Sequence, residues 1–554
     1  MKLKSWKKKG TLVTSVVLTA VILGACGSSG AKDDKKSETA SKIKLSAQTN
    51  ISYMDSRLAT DESSIQTLNQ TNEGLYTYDL EGKLIPAAAK EKAQTNKDKT
   101  VYTFTLRDDA KWSNDKPVTA EDFVYAWKSA VDPKTGSQYS YLYDGVVKNA
   151  TAILGGKKDP KELGIKAVDD KKIEVTLEKP VPYFESLLAF SVFFPLNEDF
   201  VKDQGDKYAK NSEHILFNGP YTMKDWDPTS DSWTLVKNDK YWDKKNVKTD
   251  TFVYNVIANS GTGANLFETG ELDRAELTGD FAKQYKSNEN FVSTAGAFMY
   301  YIKYSQKVDV SKTGLDNLNL RKALNAAIDS KGLTEHVLSN GSTPAEGIVP
   351  ANFVTNPDTG ADFRKDAKPV IKFDATEAKK LLELAKKETG KSTFTIELLN
   401  DDADGSKPTA EYIQDQWQKN LPGVKVSLKT LPYKNRLELN ASGDFQAQLT
   451  RWGPDYQDPS TYIDLFKTGS SYNMMDYSNP KFDDLLVEAS TTQATKPLER
   501  WNTYIEAEKI AIKDDAASAP LYQNAIASLE NPKLKNFKRF PYTMTALKYV
   551  YLEK

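Results

Sequence analysis

One cysteine and two histidines among 554 residues leave few parts for most enzyme chemistry. Zinc sites draw their ligands mainly from Cys and His, and a Ser or Cys nucleophile needs a base beside it. His214 and His336 are too far apart to form a His-Glu-x-x-His helix, and no Gly-x-Ser-x-Gly elbow occurs. Cys26 has no second cysteine with which to form an intrachain disulfide. An excess of one charge is missing as well, because 75 Lys+Arg stand against 76 Asp+Glu. Nucleic-acid affinity comes largely from neutralising phosphates, so this balance gives no reason to expect it. Phosphate loops fail on spacing. Thr389-Gly390-Lys391-Ser392-Thr393 has Ala385 where the cradle needs a glycine, and Gly261-Thr262-Gly263 is followed by Leu266 where a dinucleotide fingerprint needs a small residue. The latter reads as a loop. Paired acids such as Asp483-Asp484 read as a solvated helix start, although sequence does not measure the carboxylate separation a glycosidase needs.

What is present is a soluble composition, 39% hydrophobic and 27% charged, with 28 Tyr and 9 Trp. At ~150 residues per domain the length equals roughly three or four domains, or one large bilobal body. Tyr and Trp combine broad contact area with a polar tip and few rotors to freeze, which suits binding surfaces. The N-terminus reads as an address. Five lysines precede the apolar run Leu12 to Leu23, and Leu23-Gly24-Ala25-Cys26 follows it. The run is shorter than the ~20 apolar residues that span a bilayer, so the layout is that of a secretory signal. Its end resembles a bacterial lipobox, which makes 1–25 the signal and Cys26 a lipidated first mature residue on the extracellular face of the cell membrane. Without residues 1–25 the formal net charge moves from -1 to -6, since Lys2, Lys4, Lys7, Lys8 and Lys9 are lost. Gly27 to Ser41 is small, polar and charged, and reads as a tether within 26–45.

Beyond Ile43, strand and helix signals alternate irregularly, which predicts a mixed α/β body without solenoid repeats. Val101 to Leu106, Lys172 to Leu177, Thr393 to Leu398 and Val424 to Leu428 read as strands. Thr119-Ala120-Glu121-Asp122 is a capping-box pattern ahead of an apolar stripe at Phe123, Trp127 and Ala130, and Asp132-Pro133 ends that helix. A second helix carries Leu320, Leu324, Ala327 and Ile328, and a third opens at Asp374. From Phe445 to Trp452 apolar and polar residues alternate, predicting a strand with one buried face, and Gly453-Pro454-Asp455-Tyr456 ends it. An aromatic, a glycine and a carboxylate at a strand end make a natural cleft wall; an ordinary sheet edge and turn is the plainer alternative.

Several stretches resemble the peptide-binding branch of the family 5 extracellular solute-binding proteins of ABC importers. They are Asn72 to Gly82, Tyr102 to Asn114 with Pro117 to Trp127, Asp132 to Tyr139, Asn218 to Trp226, Leu235 to Trp242, Leu320 to Asp329, and Trp452 to Pro459. They run through nearly the whole chain after residue 50. The resemblance implies a periplasmic-binding-protein-like type II (cluster C) bilobal α/β fold with an extra inserted domain. Lobe 1 is then 46–72 with 197–304 and 521–554, the inserted domain is 73–196, and lobe 2 is 305–520. It further implies a monomeric, non-enzymatic receptor that needs no cofactor. Such a receptor captures an extended oligopeptide between its lobes and hands it to ABC permease membrane subunits served by ATPase subunits, for nutrition or pheromone import.

Carried over residue by residue, the resemblance places Asp455 on the peptide's α-amino group. It puts Leu449, Arg451, Trp452 and Gly453 along one backbone-pairing strand, Ala59, Thr60, Asp61 and Glu62 on a facing strand, and Tyr139 on a contact from the inserted domain. Leu449 stands where some relatives carry an arginine for the carboxylate of short peptides, so longer or apolar peptides are expected. Pro454 lacks an N–H and weakens the expected ladder. Rival readings are another ligand in the same fold (nickel, haem or an oligosaccharide), a lipid-anchored surface hydrolase, and an adhesin or chaperone.

Overall fold

The computed structural model describes residues 42–403, 405–470, 472–538 and 545–553. Cys26, the apolar run before it and the tether at 27–41 lie outside the described residues. Strands form where β-branched and aromatic residues cluster, at Val101–Thr105, Lys172–Thr176, Phe394–Asp401 and Val424–Leu431. Helix Ala120–Val131 starts at Thr119, whose N–H donates to Asp122 Oδ2 at 2.9 Å, and ends at Asp132. The expected helices at Leu318–Ala326 and Ala375–Thr389 are also present.

Among the described residues, eleven strands form one mixed sheet. Ten run edge to edge as Val424–Leu431, Phe394–Asp401, Ala447–Trp452, Phe291–Tyr304, Ser518–Glu530, Arg274–Leu277, Lys42–Ala47, Thr251–Val256, Ser232–Lys237 and Tyr221–Lys224, and the short Thr343–Pro344 pairs with Ser518–Glu530. The two longest strands, Phe291–Tyr304 with 14 residues and Ser518–Glu530 with 13, are antiparallel neighbours in the middle. Every strand on one side of them comes from 394–452 and every strand on the other from 42–277, so this pair joins two halves.

The ladder between the long strands breaks where it passes from Ala295↔Ala525 to Met299↔Gln523, which leaves three residues opposite Asn524. A bulge of this kind orphans backbone groups, and here side chains take them up. Phe298 N donates to Asn524 Oδ1 at 3.0 Å, Gln523 Nε2 donates to Gly296 O at 2.7 Å, and Tyr462 Oη donates to Ala297 O at 2.5 Å.

Residues 75–196 build their own core under a four-stranded antiparallel sheet, with Trp112, Phe123, Trp127 and Phe193 buried in it. This segment leaves the first half after Asn72 and returns before Gly219, and its root is tightly fastened. Glu73 accepts from Tyr241 Oη at 2.8 Å and Trp242 Nε1 at 2.5 Å, while the Arg107 guanidinium lies 3.7 Å from the Trp242 ring. A Cβ on Gly219 would meet the backbone of Thr71 and Asn72 at 2.7 Å, so only glycine lets the outgoing and returning chains touch.

Three sequence expectations need correction. Gly261-Thr262-Gly263 is not a loop; it lies in helix Ser260–Glu268, whose start is capped by Asn259 accepting from Thr262 N. The strand Ala447–Trp452 is not half exposed, because Gln448 and Thr450 are buried like Ala447 and Leu449, with Arg436 Nη1 donating to Thr450 Oγ1 on the polar face. Ala59 to Glu62 is not a strand: Leu58 and Ala59 close a turn on the carbonyl of Asp55, and helix Glu62–Thr71 follows with Asp61 as its cap. Gly219→Ala is expected to destabilise the fold by about 1–3 kcal/mol, the usual cost of forcing atoms into a packed site. Thermal unfolding measures this, and an unchanged melting temperature contradicts the close approach.

Candidate functional site

Strand Ala447–Trp452 runs beside the bulged strand and stops at Gly453-Pro454, because Pro454 has no N–H to continue the ladder. Gly453 sits under Phe298 from the bulge, and a Cβ there would meet that ring at 2.6 Å. The chain then turns and is fixed at both ends. Asp455 N donates to Thr461 Oγ1 at 3.2 Å. Three residues on, Asp458 takes two bonds from Arg500, at 2.6 and 2.7 Å, and Arg500 Nη2 also donates to Tyr504 Oη. Both members of that pair are buried, so their charges compensate one another away from water.

Asp455 is thereby held out towards the 75–196 segment. Tyr141, on the short helix Gln138–Tyr143 of the 75–196 segment, donates its hydroxyl to Asp455 Oδ2 at 2.5 Å. The next residue is pinned too, with the Tyr456 ring stacked on Tyr183 at 4.0 Å and 12°. Tyr141 meets Tyr472 edge-on at 6.0 Å, Tyr472 meets Trp452 at 4.8 Å, and Tyr139 packs on Tyr141 and Phe190. The carboxylate thus stands in a box of phenols. Asp455 keeps part of its surface exposed. Surrounding protein desolvates the rest and pushes its carboxyl up to about 7, against which the Tyr141 bond works only in part. Among the described residues no Lys, Arg or His pairs with it within salt-bridge distance.

A second charged cluster lies back along the strand. Arg451 Nη1 donates to Asp401 Oδ2 at 3.1 Å, its guanidinium lies 4.8 Å from the Tyr433 ring, and buried Arg436 reaches the same Asp401 oxygen at 3.6 Å. Lys303, buried beside them, donates to Asn440 Oδ1 and Tyr472 O, and burial pushes its ammonium down to about 7. A cavity of about 610 Å³ opens beside the turn, between Pro180 to Glu185 and Gln457 to Pro459, and does not include Asp455.

Of the residues singled out from sequence, Asp455, Trp452, Gly453 and Tyr139 meet in one place. Asp61 joins them, because its charge and that of Asp455 both act on the Tyr139 hydroxyl. Arg451 lies on the neighbouring cluster, and Thr60 is half-buried in the turn before Asp61. Ala59 is buried, with its N–H already bonded to Asp55 O at 3.0 Å, so it does not offer a free ladder edge. Glu62 is exposed at the helix start. Leu449 is sealed in the core opposite Ile302 and its side chain does not line the cleft. Sequence reasoning missed Tyr141, Tyr183, Tyr456 and Tyr472. The run Gln138-Tyr-Ser-Tyr-Leu-Tyr143 was a signal for the first of these; Tyr472, far along the chain, carried none. Among the described residues no group of three or more His, Cys, Asp or Glu is gathered so as to hold a metal ion.

The description "Bacterial extracellular solute-binding proteins, family 5 Middle" matches residues 83–474. A dipeptide-binding protein of Lactococcus lactis subsp. cremoris is 36% identical over 535 residues, covering 94% of this chain and 95% of the relative. Among solved structures, Listeria monocytogenes OppA bound to peptide superposes with a TM-score of 0.79 at 45% identity, over 93% of this chain and 99% of that one. The pheromone receptor PrgZ superposes with a TM-score of 0.79 at 34% identity, over 93% and 100%. The molecule therefore has the bilobal type II binding-protein fold.

A carboxyl raised above its unfolded value holds a proton that the unfolded chain has lost, so it costs stability as pH rises from about 4 towards 7, and the full cost applies above 7. Asp455→Asn is expected to raise the melting temperature at pH 8 more than at pH 5. The gain is roughly 1–3 kcal/mol, reduced because the group keeps some contact with solvent. Equal shifts at both pH values contradict the assigned burial.

Proposed function

The chain belongs to the family 5 bacterial extracellular solute-binding proteins, and on that premise we propose that it captures oligopeptides between its two lobes for delivery to an ABC permease. One observation carries this reading. Asp455 is an acid desolvated among phenols, with no cationic partner among the described residues, at a junction of both lobes and the inserted segment. A carboxylate in that setting is stabilised by a cation brought from outside, and the α-amino end of a peptide is one that fits. The peptide backbone would then run from Asp455 past Gly453 and Trp452, with Tyr139 and Asp61 on the facing side. The twin arginines on Asp401 lie beyond.

We assign 46–72, 197–304 and 521–554 to lobe 1, 73–196 to the inserted domain and 305–520 to lobe 2. The separate core of residues 75–196 supports the middle boundary. The receptor acts as a monomer without chemistry of its own, anchored through lipidated Cys26 to the outer face of the cell membrane. The partner permease, with its ATPase subunits, does the transport work. Relatives named for dipeptides, for oligopeptides and as a pheromone receptor support a peptide ligand, taken up for nutrition or signalling. A metal, haem or sugar is less well suited, since the donor set at the cleft is Asp455 and Asp61 among phenols.

The test is to incubate purified protein with a degenerate pool of hexapeptides, free and N-acetylated, and identify by mass spectrometry what is retained. Intact free-amine peptides are expected, whereas trimmed ones point to a hydrolase. Asp455→Ala is expected to weaken free-amine peptides by one to two orders of magnitude, about 1.4–3 kcal/mol. Acetylated ones should change far less, and equal affinity in variant and parent refutes the role. Cys26→Ala is expected to release the protein from the membrane fraction on cell fractionation, and undiminished retention contradicts lipid anchoring.

A further inference from the structure

Asp455 has two carboxylate oxygens and they are not equivalent. Oδ2 accepts from Tyr141, a residue 314 positions away on the inserted segment, while Oδ1 accepts no hydrogen bond from the described residues. The Tyr141 phenol has little freedom, wedged between Tyr139 and Tyr472, each 6.0 Å away, with Tyr472 backed by Trp452. The main chain of Asp455 is equally fixed, by Thr461 behind it and the Tyr456–Tyr183 stack beside it. The phenol and the carboxylate, each held from behind, meet through that hydroxyl.

We propose that Tyr141 is a positioning residue for amine recognition: by donating to Oδ2 it keeps the Asp455 carboxylate charged and turned so that Oδ1 receives the ligand's ammonium group. This rests on the peptide-binding reading above and deepens it.

The physical argument has two steps. A hydrogen bond given to a carboxylate favours its charged form, and the more so in a site where water is largely excluded. The other groups facing Asp455 do not help it. Tyr139 from the inserted segment and Tyr472 from lobe 2 are phenols that feel its charge, and beyond Tyr139 stand Asp61 and Tyr433; none is a cation. The hydrogen bond from Tyr141 thus lowers the carboxyl's proton affinity against the desolvation that raises it.

The second step is linkage. An ion pair needs the carboxylate ionised and the amine protonated. Affinity therefore rises with pH until Asp455 has lost its proton, and falls again as the peptide's α-amino group, of ordinary pKa about 7.7–8.0, loses its own. The acid limb belongs to the protein and the alkaline limb to the ligand. A change in the hydrogen bond to Oδ2 moves the first and leaves the second in place, whereas a general loosening of the cleft lowers affinity at every pH.

The experiment uses the full chain and the hexapeptide most strongly retained from the pool, with its N-acetylated form as reference, and measures affinity between pH 5 and 9. For the parent the acid limb is expected near pH 7. In Tyr141→Phe, which keeps the ring and removes only the donor, that limb is expected to move up by about half a pH unit or more, roughly a twofold loss at pH 7 and a threefold loss near pH 5. The alkaline limb should stay, and the acetylated peptide should show neither limb. Tyr412→Phe, which removes a phenol hydroxyl that donates to Asp329 O and belongs to no part of this site, is expected to leave the acid limb where it is. A uniform loss across the range in Tyr141→Phe, no change at all, or an equal shift in Tyr412→Phe overturns the inference while leaving peptide capture intact. Failure of the parent to retain any free-amine peptide overturns the functional reading itself.

Discussion

The cleft is organised around an uncompensated charge. Asp458, three residues from Asp455, has a bidentate arginine, and Asp401 has two, but Asp455 is given phenols. Burying an acid beside hydroxyls instead of a cation is costly to the protein alone, and the cost is recovered when a cation arrives. On the proposed reading, the stability that the site forgoes is what favours a protonated amine there.

That arrangement depends on how the sheet is built. The two long central strands are the links between halves, and their ladder is interrupted where Phe298 leans over Gly453. Gln523 and Tyr462 satisfy the carbonyls that the interruption frees, so the bend is a bonded element of the fold. It lies next to the strand end that carries Asp455. Movement of one half against the other would be felt at the acid, and through Tyr141 and the Tyr183–Tyr456 stack at the inserted segment.

Much of this was legible beforehand for a simple reason. Cap boxes, helical stripes and β-branched runs are local, and local preferences were enough to place helix Ala120–Val131, helix Ala375–Thr389 and the strands at 101, 172, 394 and 424. Asp455, Trp452, Gly453 and Tyr139 were legible because they sit in distinctive motifs. Two expectations fail for different reasons. Gln448 and Thr450 alternate like exposed residues yet are buried, with tertiary Arg436 bonded to Thr450, whereas Ala59 to Glu62, assigned to a strand by the resemblance alone, ends in a local cap in which Asp61 accepts from Ser64 N.

The sequence by itself determined helices Ala120–Val131 and Ala375–Thr389, the strands at 101, 172, 394 and 424, the acidity and aromaticity of the strand end at 452–456, and the family to which the chain belongs, since each is written in contiguous residues. Only the tertiary structure decided that Tyr141, 314 positions away, donates its hydroxyl to Asp455, that Leu449 turns to the core, and that no cation stands beside the acid among the described residues. Those facts depend on which surfaces the bulged central strands bring face to face, and no local pattern encodes that.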